Sequence, residues 1–194
     1  MLPPFLYLAL IGRVIMNEIN CPPHGWADNN ISTFIDASRL NEYATFANKS
    51  IYIAKITKID KVFRLACELL SSTEKDLINI FLLRAHSNYL ASCRLSWSGQ
   101  HPESFALLRS CLEHSLYAVY FFKYPHLQET WGRRHDNEAA KKAVKKQLKI
   151  TDMIALAEGI NESRGKEAKA LYELTIDMGA HPNLFSIIQT VRLS

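Results

Sequence analysis

Glycine and proline are scarce in this chain, with seven of each in 194 residues. A many-stranded sheet spends such residues on a turn roughly every 8–12 positions, and here the prolines fall at segment edges rather than inside periodic stretches. Strand-rich folds are therefore disfavoured and helices favoured. Cysteine is also sparse. Cys21, Cys67, Cys93 and Cys111 stand far apart with no Cys-x-x-Cys pair, which argues against a zinc site and a disulfide framework and points to the reducing cytoplasm. A glycine-rich phosphate loop, a Gly-x-Ser-x-Gly elbow and a His-Glu-x-x-His pair are all missing, so the common nucleotide-loop, hydrolase and metalloprotease signatures are excluded. The histidines lack ligand spacing, and neither a metal nor a cofactor is expected.

The longest apolar run, Leu2 to Met16, starts with Pro3 and Pro4 and is broken by Arg13. It is shorter than the roughly 20 residues that span a bilayer and lacks a basic leader, so no membrane segment is expected. Residues 1–15 read as an over-extended start or a marginal tail, and 1–30 as an irregular arm. The stop after Val191-Arg192-Leu193-Ser194 reads as a truncation of a longer protein.

What remains is 48% hydrophobic, enough for one sizeable core, and it carries helical periodicity. Over 50–70, Tyr52, Ile56, Ile59, Phe63, Ala66 and Leu70 recur at three- and four-residue steps as one stripe. From Thr73, a predicted N-cap, apolar residues run to about Trp97, with Arg84 and Asn88 on one side of that helix. Pro102 and Glu103 open a helix that Tyr124-Pro125 closes. A mostly polar helix is expected from His126 to about Lys149, bent near Gly132, and a last one from Asn161 to Met178 with Ala168, Leu171, Tyr172 and Thr175 inward and Gly179 as its C-cap. Residues 183–191 read equally as strand or helix. The fold class is all-α, a single bundle of about five to seven helices over 31–194.

Charge is concentrated rather than large. The net charge is +4, yet Lys141, Lys142, Lys145, Lys146 and Lys149 crowd one stretch, either as a solvated helix face or as a nucleic-acid patch. A second charged feature lies in Leu107-Leu108-Arg109-Ser110-Cys111-Leu112-Glu113-His114. On a wheel with Phe105 at zero, Arg109 falls at about 40° and Glu113 at about 80°, bordering the apolar stripe, while His114 falls near 180°. Such charges must be satisfied. A mostly buried Arg109–Glu113 pair is expected, one turn apart, with a second donor from Arg84, Asn88 or His181. It either braces the bundle or forms a polar site, in which His181 in its Gly-Ala-His-Pro turn supplies an imidazole.

Arg109 and His114 form an Arg-x-x-x-x-His arrangement that resembles the catalytic motif of the HEPN ribonucleases, all-helical proteins that cleave RNA without a metal. A wider resemblance is to a poorly characterised group of bacterial all-helical HEPN-like proteins. It is carried by Leu107-Leu108-Arg109-Ser110 with Glu113, by Trp131 with Arg134, and by His181-Pro182. The resemblance implies either a ribonuclease or nucleotide-binding protein, with Arg109 holding phosphate and His114 or His181 moving a proton, or a helical binding or regulatory module. That module would act through self-association or an unknown protein partner, with RNA as a further candidate.

Overall fold

A computed structural model describes residue 22, residues 24–71 and residues 76–180. Every regular element among them is helical and none is a strand, so the all-α class holds. In chain order the helices are α1 (Asn30–Asn48), α2 (Ser50–Ser71), α3 (Asp76–Trp97), α4 (His101–Lys123), α5 (Leu127–Gly132), a 3-10 turn (Arg133–His135), α6 (Glu138–Gln147), α7 (Ile150–Ile160) and α8 (Glu162–Thr175), followed by a π-helical turn (Ile176–Ala180). Leu2 to Met16, Cys21, the cap at Thr73, His181 and 183–191 lie outside the described residues.

Contacts divide the chain into residues up to Leu40 and residues from Asn41 onward. The first unit closes on itself locally. The Asn29 side chain accepts from the amides of Ile31 and Ser32 and caps α1, and Trp26 donates its indole N–H to Asp36. These bonds hold the first half of α1 to the turn before it.

In the second unit, α3 and α4 form the most extensive helix pair. Phe81 stacks on Tyr117 at 5.3 Å and Asn88 donates to Ser110 at 2.8 Å. Residue numbers rise along one helix as they fall along the other, so the pair is antiparallel, as a connection of three residues requires. One core gathers Ile78 and Phe81 of α3, Leu116, Ala118 and Phe121 of α4, Leu127 of α5, Val144 of α6, then Leu148, and Met153 and Ile154 of α7. Phe121 is fully buried, and a side chain of that size contributes about 1.5–3 kcal/mol through its burial. A smaller core joins Ala85, Tyr89 and Cys111 to Ile56 and Phe63 of α2.

Several local expectations are corrected. The polar helix foreseen over 126–149 is three pieces, because Gly132 leads into the 3-10 turn and Asn137 starts a fresh helix, its side chain accepting from the Ala140 amide. On α2 only part of the foreseen stripe faces α3: Ile56 and Phe63 pack, whereas Tyr52 and Ile59 are exposed with Ile51, Val62, Leu65 and Leu69. Leu171 on α8 is exposed as well. Gly179 belongs to the π-helical turn rather than a C-cap, and a Cβ there would lie 2.5 Å from the Pro102 carbonyl oxygen and 2.7 Å from Phe105 Cβ. Its role is close approach to α4. Among the described residues no helix is long and apolar enough to cross a membrane.

Candidate functional site

Arg109 and Glu113 sit one turn apart on α4, and Arg109 Nε donates to Glu113 Oε1 at 2.9 Å. The third member among the described residues is Tyr172 of α8, where Arg84 or Asn88 was expected. Arg109 Nη2 donates to the Tyr172 hydroxyl at 3.1 Å, the hydroxyl donates to Glu113 Oε1 at 3.3 Å, and the guanidinium lies over the phenol ring. The two charged side chains are 30% and 31% exposed, so the pair is more open to water than the apolar wheel suggested. Burial works against the Arg109 cation, but the bonds from Glu113 and Tyr172 outweigh it and raise its pKa. Asn88 is buried and bonds Ser110, away from this pair. His181 lies outside the described residues.

Arg84 is exposed and lines a pocket of about 340 Å³ together with Ile80, Phe81, Glu113, His114, Tyr117, Trp131 and Arg134. That size lies at the lower end of ordinary small-ligand sites, roughly 300–1,000 Å³. Helices α3 and α4 supply one wall each, and α5 with the 3-10 turn brings in Trp131 and Arg134. Phe81 organises the rings, with Tyr117 stacked at 5.3 Å and Trp131 edge-on at 5.1 Å. Neither Arg84 nor Arg134 has a carboxylate partner among the described residues. Desolvation raises the Tyr117 pKa, while the nearby Arg134 charge acts to lower it.

His114 is fixed by its own helix. Its Nδ1 lies 2.6 Å from the Ser110 carbonyl oxygen, a separation that two bare acceptors would not tolerate, so Nδ1 carries the proton and donates. Nε2 then holds the lone pair in neutral imidazole and has no partner among the described residues. The pocket thus joins two arginines, an imidazole acceptor, a carboxylate and an aromatic wall. Arg109, the Arg of the HEPN-type motif, does not line it. The cations that share the pocket with His114 come from α3 and the 3-10 turn.

A second polar cluster, between α2 and α3, was missed by the sequence reading. His86 is buried, stacks on Phe63 and bonds Asp60 at 2.6 Å, while Asp60 also accepts from Arg64 at 2.8 Å. Spacing held a signal, since His86 follows Leu82 by four residues and precedes Tyr89 by three within the apolar stripe. Nearby, burial pushes the Cys111 thiol up to about 12, so it behaves as a core residue. Among the described residues no three His, Cys, Asp or Glu side chains are grouped to hold a metal ion. Lys141, Lys142, Lys145, Lys146 and Lys149 are all exposed, with Lys141 paired to Glu138. No family model matches the chain, and neither a curated protein nor a solved structure does.

Proposed function

We propose that this chain is a cytoplasmic helical binding module whose α3–α4 pocket takes a phosphorylated, ring-bearing ligand of the nucleotide class. The observation that carries this reading is the pair Arg84 and Arg134, two cations without carboxylate partners among the described residues, lining one cavity with Tyr117 and Trp131. Guanidinium groups suit phosphate oxygens because their donors form a planar fork, and aromatic faces accept a base by stacking, at roughly 1–3 kcal/mol per base. HEPN-like kinship belongs to the same proposal, with His114 Nε2 rather than Arg109 as the group nearest a bound phosphate ester.

The test is titration with nucleoside monophosphates, followed by tryptophan fluorescence. Of the three tryptophans, Trp131 lines the pocket, so Trp131→Phe should abolish the signal. Arg84→Ala and Arg134→Ala should each weaken binding about tenfold, equivalent to about 1.4 kcal/mol, without loss of helicity. Failure of AMP, GMP, CMP and UMP alike to bind would remove the reading.

A second reading, self-association, is favoured by one observation. Ile51, Val62, Leu65 and Leu69 form an exposed apolar stripe on α2, on the side away from Ile56 and Phe63, and such stripes mark association surfaces. Sedimentation of the wild type against Val62→Lys/Leu69→Lys checks it; a monomer in both cases would exclude it.

A further inference from the structure

Glu113 is the anomaly in a pocket otherwise suited to an anion. Its Oε1 accepts both the Arg109 guanidinium and the Tyr172 hydroxyl, whereas Oε2 has no hydrogen-bond partner among the described residues. Neither Arg84 nor Arg134 pairs with it, although all three line the same cavity. A partly buried carboxylate oxygen seeks donors, and a ligand bearing only phosphate would bring it further negative charge. The complementary ligand therefore carries N–H donors on a part remote from its phosphate.

Nucleobases differ in how they offer such donors. Guanine presents N1–H and the N2 amino group side by side. Adenine sets its amino group beside the N1 lone pair, cytosine sets its amino group beside the N3 lone pair, and uracil flanks N3–H with two carbonyls. In those three, a carboxylate that accepts one hydrogen bond meets an acceptor at the neighbouring position. Resting on the nucleotide reading above, we propose that the pocket selects guanine nucleotides. Glu113 Oε2 accepts from both N1–H and the N2 amino group, Trp131 and Tyr117 flank the ring, and Arg84 and Arg134 hold the phosphate. Arg109 and Tyr172 touch no ligand in this scheme. They are positioning residues that fix the Glu113 rotamer from behind.

The experiment compares the affinities of GMP, IMP, AMP, CMP and UMP for the wild-type chain, then for Glu113→Gln and Tyr172→Phe. GMP should bind at least about tenfold more tightly than AMP, CMP or UMP, the discrimination expected of a bidentate edge contact. IMP, which lacks the N2 amino group, should fall between. Glu113→Gln should reduce the GMP preference to about twofold or less while phosphate-dependent binding persists, and Tyr172→Phe should reduce it in part. Because the IMP comparison uses unaltered protein, it stands even if a variant folds poorly. A pentaribonucleotide with one guanine, alongside its adenine counterpart, distinguishes the sources: tighter binding than GMP assigns an RNA end, weaker binding a free nucleotide. Equal affinity for all bases would overturn the guanine inference and leave the nucleotide reading intact. No binding by any would overturn both, and a GMP preference that survives Glu113→Gln would overturn the assignment to Glu113.

Discussion

Glu113→Gln is the perturbation that most directly weighs the polar network on α4. The carboxylate accepts two hydrogen bonds at one oxygen, from Arg109 at 2.9 Å and Tyr172 at 3.3 Å. The amide keeps an acceptor oxygen but loses the charge, which leaves Arg109 without its counter-ion. For a fully buried pair the cost of stranding one partner is about 3–5 kcal/mol, and for an exposed pair the interaction is worth only about 0.2–1 kcal/mol. With the two side chains about one-third exposed, Arg109 can take water in place of the carboxylate, and a loss of about 1–2 kcal/mol is expected. For a chain of this length each kcal/mol moves the midpoint by about 2–4 °C, so thermal unfolding followed by circular dichroism should show a drop of about 2–8 °C. A double-mutant cycle with Arg109→Gln should return a coupling of about 1 kcal/mol. An unchanged midpoint, or additivity in the cycle, would refute the pairing. A fall well beyond that range would show that the pair is sealed from water.

Gly165→Ala should destabilise the chain by at least about 1–3 kcal/mol, because a Cβ there falls against the Glu158 backbone of α7; a denaturant midpoint equal to the wild type's would rule out that close approach. Replacing Lys141, Lys142, Lys145, Lys146 and Lys149 with Gln should move the thermal midpoint by no more than about 2 °C, as these exposed charges are screened by solvent, and loss of RNA binding in that variant would favour the nucleic-acid patch. For Asp60, burial raises the carboxyl pKa, but hydrogen bonds from Arg64 and His86 prevail and hold it below 3.8. A depressed folded-state pKa contributes stability that is present above the unfolded value and lost as the pH falls through the folded one. The stability gap between wild type and Asp60→Asn should therefore be full above about pH 5 and close in stronger acid, and a gap independent of pH would contradict the assignment.

The helical plan was legible because it rests on local chemistry. Pro102 and Glu103 mark the start of α4 and Tyr124-Pro125 its end, and the structure begins α4 at His101 and ends it at Lys123. Stripe direction was less legible on α2. Its apolar residues cover two sides of the helix, and periodicity cannot say which side meets α3 when both could. The structure packs Ile56 and Phe63 and leaves Ile59 and Val62 in water. The breaks around Arg133 to Asn137 were missed for a different reason: the only strong breaker in the stretch is Gly132, and an unbroken helix over 126–149 passes over Asn137, whose side chain caps α6.

Within one helix the polar network was readable, and between helices it was not. The Arg109–Glu113 contact follows from i,i+4 spacing alone, so the wheel finds it. Tyr172 lies 59 residues beyond Glu113, and its arrival depends on how α8 is brought back against α4, where Gly179 permits a close approach that a side chain would block. The pocket has the same origin. Arg84, His114 and Arg134 carry no shared spacing, and they meet because the antiparallel α3–α4 pair sets Phe81 opposite Tyr117 while the short α5 returns Trp131 to that same ring. A wheel drawn for α4 alone places His114 away from the buried stripe and so reads it as solvent-facing. The neighbouring helix turns that same face into one wall of a cavity, which is why the imidazole gains partners on α3 that no pattern within its own helix could announce.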